Sequence, residues 1–236
     1  QPIDPPRSGE GETAEQEFTA GRLPFFLDGI DPRIARLRAS FRLDPPFVPS
    51  TYRKHIRKVT FINPFATPIS GRMTLHFPAS WEVHPRIIAF TAQAGEQFTR
   101  EIEIRFPYNA EAGTQQLRAD FAIDADRAYR VQLASRFEFG LGDVEVQTMT
   151  QRLSDDELMV TMNVTNRSDA RLDLFCFVAP PDQPRQERVI AALPPGATAI
   201  KSFRLANLKQ LTGQSIRVGL REVKGTRIVN YDVKVN

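Results

Sequence analysis

The sequence predicts an all-β protein: two tandem sandwiches behind an N-terminal extended arm. Three observations lead there. Apolar residues come in short runs broken by 18 Pro and 13 Gly, with 17 Phe among them, a composition of strands and turns. No window sustains helical periodicity beyond about three turns. The second half of the chain also repeats the plan of the first at an offset near 100 residues, the length of one sandwich.

Residues 1–33 open with "QPIDPPRSGEGETAEQEF" and read as an acidic arm or linker until "LPFFLDGI" supplies apolar surface to dock. A first sandwich is expected over 34–140, with strands at 34–43, 52–63, 70–77, 86–91, 96–106, 114–123 and 129–137. A second is expected over 143–236, with strands at 144–152, 157–166, 171–178, 187–192, 197–205, 214–223 and 227–235. Alternation assigns the inward faces: Leu117, Ala119, Phe121 and Ile123 in one strand, Leu172, Leu174, Cys176 and Val178 in another. The joint falls at "EFGLGDVEV", where Gly140 and Gly142 leave only a few residues of reach. So short a joint restricts the angle between the sandwiches.

The repeat rests on three matched pairs. A strand ends in Asn63 or Asn166 before a polar turn, Gly95 or Gly196 makes the next turn, and Gly113 or Gly213 opens a later strand. Their offsets are 103, 101 and 100 residues, a drift small enough to mean a duplicated plan. Seven strands per copy in this order is the immunoglobulin-like arrangement. Gly95 and Gly196 are expected at positive φ, where a Cβ is costly.

The stretch "IARLRASFRL", residues 34–43, poses the main question of charge. As a strand it sets Arg36, Arg38 and Arg42 on one face, opposite Ala35, Leu37, Ala39, Phe41 and Leu43. In an immunoglobulin-type sheet the first, second, fifth and fourth strands are neighbours. Basic residues of 52–58 then lie beside Glu101 and Glu103, with the arginines one strand further out, as a solvated edge. Charge is also blocked along the chain: residues 1–30 sum to −4 and residues 31–60 to +6, so the acidic arm is expected along the basic strands. The whole chain carries only +3, and no aromatic or helical readers accompany the ladder, so no nucleic-acid partner is expected.

Cys176, the single cysteine, reads as a buried, inert thiol and excludes an internal disulfide. No stretch has the length of a membrane span. A chain beginning with Gln1 reads as a processed or excised form, and a secreted, periplasmic or cell-surface location is expected.

Residues 58–123 resemble a known bacterial family through Asn63, through Pro78, Trp81 and Val83 in a P-x-x-W-x-V pattern, through the Ala94–Gly95 turn, and through Pro107, Ala110 and Gly113. The family is the β-sandwich found beside a novel carbohydrate-binding module in α-galactosidase-type proteins. Ala94 departs from the family's usual Pro. The match covers somewhat over a quarter of the chain. It implies a sandwich fold and a non-catalytic appendage of a larger secreted protein, with carbohydrate or neighbouring domains as partners. The second half resembles only the broad immunoglobulin and fibronectin class.

Four residues stand as candidate ligand contacts: Trp81, as a sugar-stacking platform, and Arg36, Arg38 and Arg42, as an anion ladder. For Trp81 a place between the sheets is the preferred reading, and for the arginines a solvated face. His55, His76 and His84 share no metal-ligand spacing. Asp124, Asp126 and the "SDDE" of 154–157 sit where turns want Asp. Two sequons, at Asn163 and Asn166, carry little weight. No G-x-S-x-G, P-loop or H-E-x-x-H occurs, and the strands leave little chain for active-site loops. The expectation is a non-catalytic spacer or binding module without cofactor or metal. The alternative is the carbohydrate-contacting accessory half of a glycoside-processing enzyme.

Overall fold

Alternation of buried and exposed side chains fixes most of the strands, as in Gly113–Asp124, where Leu117, Ala119, Phe121 and Ile123 are buried and their neighbours exposed. The computed structural model describes residues 31–235, so the expected arm lies outside the described residues as far as residue 30. In chain order the elements are α1 (Pro32–Ser40), β1 (Arg42–Asp44), β2 (Phe47–Pro49), β3 (His55–Ile62), β4 (Ile69–His76), β5 (Glu82–His84), β6 (Ile87–Ala92), β7 (Gln97–Arg105), β8 (Gly113–Asp124) and β9 (Ala128–Gly140). There follow β10 (Val144–Arg152), β11 (Leu158–Asn166), β12 (Leu172–Ala179), β13 (Gln186–Leu193), β14 (Thr198–Leu205), α2 (Leu208–Leu211), β15 (Ser215–Glu222) and β16 (Ile228–Lys234). The fold is all-β: two immunoglobulin-like sandwiches in tandem.

In the first sandwich a sheet of order β1-β3-β7-β5 faces one of order β2-β9-β8-β4-β6, in which β2 and β9 run parallel. Phe61, Phe90, Phe98 and Phe121 meet between them with ring centroids 5.0–5.9 Å apart. In the second, β10-β11-β14 faces β13-β12-β15-β16 over a core that includes Val160, Met162, Leu174, Cys176, Phe203 and Leu220.

Every expected strand is present within three residues of its expected ends except the first. Residues 34–43 are mostly helix, not strand. Asp31 caps α1 by accepting from the Arg33 backbone N–H at 3.0 Å, and Pro32 stands in the first turn where its missing N–H is harmless. The buried stripe is Ile34, Leu37 and then Phe41, a helical spacing, whereas Ala35 and Ala39 are exposed. Small alanines on the outer face imitated strand alternation.

Sheet order needs a second correction. β3 pairs with β7 as expected, setting Lys58 opposite Glu101 and Lys54 on Glu103 at 2.7 Å. The strand expected next to β7 does not lie there. Residues 87–92 pair with β4 in the facing sheet, and the three-residue β5 takes the edge position.

Candidate functional site

The four candidate contacts do not form a site. Trp81 is 3% exposed and packs between the sheets against Phe77, Phe106, Phe137 and Phe139, with Phe139 nearest at 4.8 Å. A ring so enclosed has no face to offer a sugar. Arg36 and Arg38 are two residues apart on a helix, about 200° around its axis, and Arg42 belongs to β1 beside Thr60. The ladder was a product of reading the helix as a strand. Turn Asp residues make ordinary ion pairs instead: Asp126 with Arg33 at 3.1 Å, Asp155 with Arg152 at 2.9 Å. His76 pairs with Asp120 at 2.7 Å on the surface. Among the described residues no three His, Cys, Asp or Glu converge as a metal site, and no helix is long and apolar enough to cross a membrane. Burial pushes the Cys176 thiol up to about 11, which leaves it a poor nucleophile at neutral pH.

What sequence reading missed is the joint. Only Leu141, Gly142 and Asp143 separate β9 from β10, yet the contact between the sandwiches comes mainly from far along the chain, from β16 and the turn before it. Ile228 is buried in the core of the first sandwich, although its strand belongs to the second. Its N–H donates to Ser50 O at 3.0 Å and its carbonyl accepts from the Ser50 hydroxyl. Tyr52 N–H reaches Thr226 O at 2.7 Å, and Ala112 N–H reaches Asn230 O at 2.7 Å. The buried Asn230 amide donates to Tyr108 O and Ala110 O at 3.1 and 3.2 Å. Arg227 closes the joint, holding Asp143 at 2.7 Å and Glu222 at 2.8 Å; hydrogen bonding to Asp143, ahead of other causes, holds its guanidinium above the ordinary arginine range. The signal that could have shown this is faint: Ile228 and Asn230 fall on the parity that would otherwise face water.

Beside the joint, at the same end of the first sandwich, lies a cleft of about 470 Å³ lined by Tyr52, Arg53, Lys54, Ser80, Glu82 and Arg105, with Phe106 and Pro107. Its size falls in the range of small-molecule sites. Tyr52 is 57% exposed and stands edge-on to Tyr108, itself 46% exposed, at 5.8 Å. Lys54 and Arg105 share Glu103, at 2.7 and 3.0 Å, and the Lys54 hydrogen bond holds that carboxyl below the usual range. Glu82 is the register partner of Arg105. Behind this rim, Arg57 donates to the backbone carbonyls of Phe47 and Ile56, both at 2.7 Å, and meets no carboxylate among the described residues. Burial first, then the neighbouring charge of Arg53, holds its guanidinium below the usual range. His55, stacked on Phe106 at 5.6 Å and bonded to Thr51 O at 2.8 Å, is lowered by burial and, more weakly, by Arg57 and Arg53.

No family model matches the chain, and no curated relative matches it. Among solved structures it is similar to red sea bream transglutaminase, at 10% identity and TM-score 0.33 over 80% of this chain and 30% of that one. The YadV chaperone is similar at 10% identity and TM-score 0.28, over 82% of this chain and 100% of that one. A two-domain fibronectin type III segment of chicken tenascin is similar at 11% identity and TM-score 0.25, over 80% and 97%. The chain thus spans 30% of the length of the transglutaminase. Likeness at this level says nothing of activity or partner.

Proposed function

We propose that this chain is a non-catalytic module of a secreted or surface protein that holds two sandwiches at a fixed angle, as a spacer or binding unit. The observation that carries the reading is the joint: Ile228 of the second sandwich buried in the core of the first, with backbone hydrogen bonds and the Arg227–Asp143 ion pair around it. A residue of one domain buried in the core of the other opposes free relative motion of the two. The resemblance of residues 58–123 to an appendage of larger secreted proteins agrees with such a role.

Alignment of the two sandwiches in a weakly ordered medium, read by residual dipolar couplings, tests the fixed angle. One shared alignment tensor is expected, and two independent tensors overturn it. A screen of the purified chain on chromogenic glycosides, esters and phosphates with divalent metals tests the rest. Turnover that survives repurification and vanishes on mutating one carboxylate overturns the non-catalytic reading.

A further inference from the structure

We propose that the cleft beside the joint binds an acidic sugar, a hexuronic acid unit whose ring lies on Tyr52 and whose carboxylate meets Arg53. This goes beyond the spacer reading and does not rest on it.

Charge is the first argument. The charged residues that line the cleft are Arg53, Lys54, Arg105 and Glu82, with Glu103 paired to two of them from beside it. Glu103 pairs with both Lys54 and Arg105, and Glu82 stands opposite Arg105 in register, so the surplus charge of the lining falls on Arg53. Arg53 lines the cleft, is exposed and makes no ion pair among the described residues. A ligand carboxylate would supply the partner that Arg53 lacks, and a guanidinium fork suits it.

Shape and chemistry are the second. An exposed tyrosine braced by another offers a flat apolar face with a hydroxyl at its edge, which suits the alternating C–H and O–H surface of a pyranose. The rest of the lining mixes donors and acceptors, with Ser80 and Glu82 beside Lys54 and Arg105. Such a lining matches a ring of hydroxyls better than an apolar ligand. An acidic peptide is a poorer fit, because the nearby edge strand β5 has only three residues to offer for backbone pairing.

The experiment is an amide NMR titration of the full chain with trigalacturonate, with its neutral methyl ester, with sodium sulfate and with hexaglutamate. Trigalacturonate is expected to saturate, moving Tyr52–Lys54, Ser80, Glu82 and Arg105, with the methyl ester roughly tenfold weaker or worse. Affinity should fall with salt. Arg53→Glu should abolish binding and Arg53→Gln weaken it about tenfold. Tyr52→Ala should weaken it with the charge intact. Both side chains are exposed, and an unchanged Trp81 emission, which reports the first sandwich, confirms that each variant is folded. Equal binding of the methyl ester, equal or tighter binding of sulfate or hexaglutamate, no saturation by trigalacturonate, or indifference to Arg53→Glu each overturns the proposal. None of these outcomes bears on the alignment tensors, so the two readings fail separately.

Discussion

Asn63 and Asn166 do the same work in the two sandwiches. Asn63 directly follows β3 and Asn166 ends β11, each as a buried side chain donating through its amide to carbonyls across the turn: Thr67, Ala92 and Gln93 for Asn63, Ala170 and Leu193 for Asn166. Each accepts a backbone N–H two residues on, from Phe65 or Ser168, both at 2.9 Å. The carbonyl of each also accepts the N–H of its matched glycine, Gly95 or Gly196, which have φ of +72° and +75°. The duplicated sequence therefore encodes a duplicated corner, in which one amide satisfies carbonyls that the strand ends leave without ladder partners.

Removing either amide should orphan several buried carbonyls at once. Asn63→Ala and Asn166→Ala are each expected to lower stability by about 1–3 kcal/mol in urea titration. Asn63→Asp should cost more above pH ~4, since an ionised carboxylate would face those carbonyls. Its stability should therefore fall as pH rises through that value. Wild-type-like stability of all three variants would show that the corner is decoration.

At the glycines the cost should be conformational alone. Nothing lies within 4 Å of a Cβ built on Gly95 or Gly196, so Ala at either site meets no clash and loses only the ease of positive φ. A loss of about 1 kcal/mol is expected from each. A loss several times larger would mean that the turn has a tighter environment than its geometry shows.

Ile228 should make the first sandwich depend on the second. Trp81 is the only tryptophan and lies in the first core, so its fluorescence reports that sandwich alone. Ile228→Ala is expected to move the Trp81-monitored urea transition down by about 2–5 kcal/mol, though the residue sits more than 140 positions away in sequence. An unmoved transition would show that the joint does not couple the two. The emission itself should be blue-shifted and resist acrylamide, as the burial of Trp81 requires.

His55 gives a pH signature. Burial lowers its folded pKa below 6.5, so the unfolded chain takes up a proton there that the folded chain resists. The contribution of neutral His55 is complete above that value and is lost as pH falls below it. Between about pH 7.5 and about pH 5.5, wild type should lose more stability than His55→Gln. Parallel losses would assign the acid sensitivity elsewhere.

Strand positions, their inward faces and the duplicated corner were legible in the sequence because period-2 alternation and turn residues act locally. Leu117, Ala119, Phe121 and Ile123 alternate with polar neighbours, and no distant contact is needed to say which way they point. The helix of 32–40 was also written there, in Asp31–Pro32 and the 34-37-41 spacing, but alanine is indifferent to burial and two periods fitted the same ten residues. Three things only the tertiary structure decided. The sheet that β6 joins depends on a crossing between layers, which alternation does not encode. The joint depends on Ile228 and Asn230 finding backbone partners more than 110 residues away. The cleft depends on β3, β5, β7 and the turns beside them meeting at one end of a sandwich. A pattern along the chain carries the orientation of a side chain relative to its own strand; which distant group it meets is set only when the layers close.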